Sequence, residues 1–230
     1  MKQETKKIIF ALLFPFIFLL SLWLVLLYQT LYKVDLIEYG IHPLKSDGLI
    51  GILTAPFIHA DIKHLLANSF PLLFLSTCIF YFYREIAFKV FILIYLVSGF
   101  WVWTFARDAY DIGASGLVYG FASFIFFSGL LRRDNKLMAL SLLITFIYGG
   151  LIWGIIPLKD QVSWESHLMG MIAGFVFGIF YRKAGPQRVP YDWGEEEEDS
   201  PEETENVTDE NREDAKSITV NYEFKETKKT

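Results

Sequence analysis

The sequence predicts an all-α membrane protein: six transmembrane helices in one bundle, a long first outer loop and an acidic C-terminal tail. Three observations predict it. The chain is 53% hydrophobic and 17% aromatic with a mean hydropathy of +0.34, too apolar for an ordinary soluble domain. Apolar runs of the ~20 residues that a bilayer crossing requires recur along it. Lys and Arg gather in alternate connections, the asymmetry that orients membrane helices.

At 230 residues the chain fits one domain and a tail. The first run covers about 8–28. It is longer than the apolar region of a signal peptide and no small-residue cleavage site follows it, so it reads as a retained helix. The second and third runs cover about 64–83 and 87–106, the fourth and fifth about 115–131 and 137–156, and the sixth about 166–181. Lys2, Lys6 and Lys7 precede the first run, Arg84 and Lys89 flank the turn after the second, Arg132, Arg133 and Lys136 follow the fourth, and Arg182, Lys183 and Arg188 follow the sixth. All of these fall on one side, which puts both termini in the cytoplasm. The opposite loops carry only the scattered Lys33, Lys45, Lys63, Arg107 and Lys159.

The net charge of −5 is unevenly spread. From Arg182 onward there are 8 basic and 15 acidic residues, a balance of −7, leaving 13 basic and 11 acidic, or +2, in the rest. The chain therefore divides into a cytoplasmic N-terminus (1–7), a six-helix domain (8–183) and a tail (184–230) whose acid run, Glu195 to Asp199, reads as disordered and cytoplasmic. Within the tail, the alternating patch from Ile218 to Phe224 could pair with a partner strand, although such a patch is more often a mere fluctuation of the tail. The sequon Asn206-Val207-Thr208 would not meet its transferase on that side. Cys78 is the only cysteine, so no internal disulfide forms, and it reads as a small buried hydrophobe.

Chemistry-bearing residues start three of the six runs. Gly113-Ala114-Ser115-Gly116 opens the fourth, leaving a hydroxyl uncovered between small residues where backbones can approach. His64 and Asn68, four apart and on one helical face, open the second, and His167 opens the sixth. With alternating topology these runs all enter from the same side, so Ser115, His64, Asn68 and His167 lie at similar depth. His167, Gly170, Gly174 and Gly178 form a stripe along which another helix can pack closely. Ser115 and Tyr119 share a face of the fourth run, with Gly116 and Gly120 beside them, so the two small-residue strips are candidate partners. A lone serine in a membrane helix ordinarily bonds its own backbone, and a glycine stripe ordinarily serves packing. Neither reading predicts four such groups at one depth.

These residues resemble the rhomboid family of intramembrane serine proteases. The matching segments are Gly113-Ala114-Ser115-Gly116, His167-Leu168-Met169-Gly170 with Gly174 beyond, and His59 to Asn68, in which His59, His64 and Asn68 fit the spacing of a His-His-Asn motif. The resemblance covers about residues 8–183. It implies a six-helix fold in which Ser115 is the nucleophile and His167 the general base, a dyad without an acidic third member. It implies that His64 and Asn68, with the Ser115 backbone N–H, hold the oxyanion, that Tyr119 supports the histidine ring, and that His59 is structural. Substrates would be transmembrane segments of other proteins, with membrane lipid as surroundings and no nucleic acid, metal or cofactor involved. The short, highly charged tail and the lack of a transit-peptide pattern point to a bacterial plasma membrane.

One departure concerns the first outer loop. A Trp-Arg pair often found there in the family is replaced by Ile50-Gly51 when Thr54 is aligned, which puts the bracing of that loop in question. Ser166 stands where the family often has Ala. The fifth run holds Gly149, Gly150, Gly154 and Pro157 with the aromatic Phe146, Tyr148 and Trp153, and is expected to be the lateral gate for substrate.

Other hydrolase chemistries fit poorly. No His-Glu-x-x-His zinc motif is present, and Tyr110-Asp111 lacks the partner motif of an aspartyl intramembrane protease. The competing reading is a non-catalytic rhomboid-like protein that binds transmembrane clients. A small transporter would need paired intramembrane charges or repeats that the sequence does not offer.

Overall fold

The computed structural model describes residues 3–157 and 163–185. The chain divides after Val189 into two units. The predicted acid run, alternating patch and sequon of the tail lie outside the described residues.

All regular structure among the described residues is helical. α1 (Gln3–Tyr32) is followed by a long connection containing short 3-10 turns and a single α-turn, α2 (Gly51–Thr54). Then come α3 (Ile62–Phe82), α4 (Ala87–Phe105), α5 (Ser115–Arg132), α6 (Asn135–Tyr148) and α7 (Trp164–Phe180). Five helices, counting α6 with its 3-10 continuation to Ile155, are long and apolar enough to cross a membrane. The sixth predicted crossing is α7. Its 17 residues span about 25 Å at 1.5 Å per residue, the short limit of a bilayer crossing.

Helix ends follow from local chemistry. Asp61 caps α3 by accepting from the His64 N–H at 2.8 Å. Asp134 caps α6, accepting from the Lys136 and Leu137 N–H groups. α5 stops where Arg133 turns to φ 54°.

Inside a bilayer apolar side chains gain nothing by leaving lipid, so helices associate through close contact. α5 is the most enclosed of the apolar helices, and its most extensive contact is with α7. Glycine sets that approach. A Cβ on Gly170 would lie 2.0 Å from the Gly116 carbonyl oxygen, and one on Gly174 would lie 2.0 Å from that of Gly120. At the far end of the pair, Arg132 donates to Ser128 Oγ at 2.8 Å, to the Ala184 carbonyl at 2.7 Å and to the Tyr181 carbonyl. α1 leans on the opposite flank through rings: Phe14 meets Phe91 and Phe80 at centroid distances of 5.0 and 5.1 Å.

The long loop between α1 and α3 is braced by backbone hydrogen bonds and one indole N–H. Ile41 and Asp111 exchange both backbone hydrogen bonds at 2.9 Å. The Gly113 N–H donates to the Ala55 carbonyl, and Trp103 Nε1 donates to the Lys45 carbonyl, each at 2.9 Å. Gly51 packs so closely that a Cβ there would lie 2.2 Å from the Gly40 carbonyl oxygen. Gly51 is thus itself a close-packing point of the loop.

The α5–α7 contact yields a stability prediction. Gly170→Ala should destabilise the fold by about 1–3 kcal/mol through overpacking. Gly150→Ala, where an added Cβ meets nothing within 4 Å, should stay within about 0.5 kcal/mol of wild type. Denaturant unfolding in detergent micelles measures both, and equal stability of the two variants would contradict the packing account.

Candidate active site

The site is assembled at the starts of α3, α5 and α7. The connection into α5 passes through Gly113 at φ +105°, a conformation that side chains other than hydrogen rarely take. A Cβ there would also lie 2.8 Å from His64 Cε1 and Nε2, and 3.8 Å from Asn68 Nδ2. His64 and Asn68 therefore flank the backbone just before Ser115. On the other side of Ser115, a Cβ on Gly116 would lie 3.3 Å from the Ser166 carbonyl oxygen, which brings the first turn of α7 alongside.

His167 is fixed in two ways. Its ring stacks on Tyr119 with centroids 4.1 Å apart and planes 6° from parallel. Its Nδ1 lies 2.8 Å from the Gly154 carbonyl oxygen. A carbonyl only accepts, so Nδ1 carries the proton and Nε2 of a neutral ring is left as the basic nitrogen. Ser115 is half-buried, and among the described residues its hydroxyl makes no hydrogen bond to His167 or to its own backbone. Such bonds commonly tighten only when substrate is present. As the first residue of α5, Ser115 presents a backbone N–H with no partner inside the helix.

His59 joins the cluster through Asn68, whose Nδ2 lies 3.2 Å from His59 Nε2. Its Nδ1 faces the Phe57 carbonyl oxygen at 3.4 Å, and its ring meets that of His64 edge-on at 5.0 Å. The Asn68 amide donates one hydrogen to His59 and keeps its second. His59 is fully enclosed, and burial, reinforced by neighbouring His64, lowers its pKa to about 4, so the ring is neutral.

The structure thus gathers Ser115, His167, Tyr119, His64, Asn68, His59, Gly113, Gly116 and Gly170 at one end of the bundle. Gly174 sits deeper, where it only permits packing. Sequence reasoning missed the Gly154 carbonyl, which no side-chain pattern could announce. It also left Asp111 as half of an aspartyl-protease motif without its partner, although a carboxylate at the mouth of an apolar helix is a signal in itself. Asp111 is buried and accepts from Ser166 Oγ at 2.7 Å and from Ser163 Oγ. Burial raises its pKa to about 6 against the lowering effect of those two hydroxyls. Nearby, Arg107 Nε lies 3.3 Å from Glu165 Oε1. No cluster of potential metal ligands occurs among the described residues. An apolar cavity of about 280 Å³ lies between α5, α6 and α7, bounded by Tyr119, Tyr148 and Met171.

A rhomboid-domain family model matches residues 46–184. An uncharacterized protein of Mycobacterium bovis is 34% identical over 176 residues, covering 69% of this chain and 72% of that protein. One from Mycobacterium leprae is 34% identical over 194 residues, covering 80% and 76%. RHOMBOID-like protein 1 of Arabidopsis thaliana is 32% identical over 138 residues, covering 56% of this chain and 34% of that protein.

The His59–Asn68 contact predicts a pH response. The folded pKa of His59 lies below its ordinary value of 6.5, so its neutral form contributes stability that is present above pH 6.5 and lost as pH falls toward 4. The loss amounts to at most about 3 kcal/mol. Asp111, raised from 3.8 to about 6, acts in the opposite sense, losing stability as pH rises through that window. Comparing wild type with His59→Gln cancels the Asp111 contribution. Melting temperature should fall more steeply in wild type than in His59→Gln between pH 7 and pH 4.5, and parallel curves would contradict the assignment.

Proposed function

The chain belongs to the rhomboid family, and from that premise we propose that it is an intramembrane serine endopeptidase working with a Ser115–His167 dyad. The observation that carries the reading is the restraint on His167. Stacked on Tyr119 and bonded through Nδ1 to the Gly154 carbonyl, it keeps Nε2 available as a base on the helix that packs against the first turn of α5.

In this mechanism His167 Nε2 takes the Ser115 proton as the hydroxyl attacks a substrate carbonyl. The imidazolium then gives that proton to the departing amine, releasing one product and leaving an acyl-enzyme. Water, deprotonated by His167, attacks the ester and frees Ser115. Negative charge on the tetrahedral oxygen would be met by the Ser115 N–H, by the spare Asn68 amide hydrogen and by His64. His59 holds the Asn68 amide in place by accepting its other hydrogen.

The substrate is a membrane-spanning segment of another protein. Its carbonyls are protected by helical hydrogen bonds, so cleavage favours segments that unwind cheaply, with Gly, Pro or small polar residues near the cut. Entry would pass α6. That helix loosens into a 3-10 turn at Gly149, is the least enclosed of the apolar helices, and meets α3 through Phe74 and Tyr148, whose rings are 6.2 Å apart. The gathering of Lys and Arg in alternate connections supports a topology with both termini in the cytoplasm and the site toward the opposite face of the membrane.

Cleavage of a reporter transmembrane substrate in proteoliposomes tests the reading. Ser115→Ala should abolish cleavage, and His64→Ala or Asn68→Ala should each lower kcat by about 10²–10³. No cleavage by wild type, together with no labelling of Ser115 by a fluorophosphonate, would instead favour a client-binding protein. For the gate, cysteines at Phe74 and Tyr148 in a Cys78→Ser background should, once cross-linked, block the transmembrane substrate while leaving fluorophosphonate labelling intact. Undiminished cleavage after cross-linking would overturn that entry route.

A further inference from the structure

We propose that Asp111 is a positioning residue for the dyad, tying the start of α7 to the segment that carries Ser115; this rests on the protease reading above. Asp111 is only 5% exposed and stands four residues before Ser115. Its backbone is already committed to the first outer loop through the paired hydrogen bonds with Ile41. Its side chain reaches the other half of the site. Oδ2 accepts from Ser166 Oγ at 2.7 Å and from Ser163 Oγ, so one oxygen holds both hydroxyls. Ser166 immediately precedes His167.

What makes this link more than incidental is the choice Ser163 makes. It occupies the N-cap position of α7, where a serine hydroxyl ordinarily accepts from an N–H of the helix's first turn. No such bond is formed. The hydroxyl is turned to Asp111 instead, so α7 gives up its own cap for an anchor to the connection before α5. The second link runs in parallel: Arg107, from the same connection, pairs with buried Glu165 at 3.3 Å. Ser115 and His167 belong to different helices and share no hydrogen bond, so their relative placement depends on what joins those helices at this level. The glycine contacts set how close α5 and α7 come. The Asp111 clasp sets rotation and height at the end of α7 that bears the histidine.

An amide oxygen can accept both serine hydroxyls as a carboxylate oxygen does, whereas a methyl group cannot. The test therefore compares Asp111→Ala, Asp111→Asn and the paired Ser163→Ala/Ser166→Ala variant in proteoliposomes, scoring kcat, KM, fluorophosphonate labelling rate and melting temperature. Asp111→Ala and the serine pair should each lower kcat and labelling rate about tenfold or more, the sensitivity expected of a displaced catalytic group. KM should stay within about twofold of wild type. Combining the two changes should add little to either, because they remove the same link. Asp111→Asn should recover to within about threefold of wild type. If Asp111→Ala does not fold, the serine pair, which deletes two hydroxyls and no charge, decides alone. An active wild type with unimpaired variants would overturn this inference and spare the protease reading. Asp111→Asn falling as far as Asp111→Ala would overturn it in favour of a role for the charge. A wild type that neither cleaves nor labels would overturn both.

Discussion

The contact on which the rest of the molecule depends is the approach of α7 to α5 at glycine. In lipid there is no hydrophobic force to hold two apolar helices together, so the distance between their backbones decides how much contact they gain. Gly116 and Gly120 on one helix meet Gly170 and Gly174 on the other, and at Gly170 and Gly174 a methyl group would collide with the facing carbonyls. Because these glycines begin at the level of Ser115 and His167, the surface that stabilises the bundle also brings the helix ends that carry these two residues together. Arg132 secures the opposite end of the same pair through the Tyr181 and Ala184 carbonyls.

Around that pair the molecule is graded from rigid to loose. The long loop between α1 and α3 is stitched to the connection before α5 by the Ile41–Asp111 exchange and the Gly113–Ala55 bond, while Gly51 seats closely against Gly40 inside the loop. These bonds bear on the few residues leading into Ser115. α6 contrasts with it. Its helix gives way to a 3-10 turn, Phe146 and Trp153 lie exposed, and a Cβ added at Gly149 or Gly150 would meet open space. The loose element nonetheless supplies the Gly154 carbonyl that orients His167. The orientation of His167 is thereby tied to the stretch that continues α6.

Much of this was legible in the sequence because the signals were periodic or chemical. Six apolar runs, charges in alternate connections and the spacing of His167, Gly170 and Gly174 foretold helices, their ends within a few residues, and which faces would meet. The motif resemblance foretold the company of Ser115, His64, Asn68 and Tyr119. What escaped was of another kind. The Gly154 carbonyl is a backbone group, identical at every residue, and is significant only through where folding places it. The link from Asp111 to Ser163 and Ser166 joins positions 52 and 55 residues apart, beyond any local pattern. The brace that Gly51 provides was hidden because its value lies in the side chain it lacks.

The central claim is that His167 activates Ser115, and the most direct measurement is the site and rate of fluorophosphonate modification. Intact-mass and peptide analysis of the protein in lipid should find a single adduct on Ser115 in wild type and none in His167→Ala of equal melting temperature. Modification of Ser115 at the same rate in both proteins, or its absence from a folded wild type, would contradict the account.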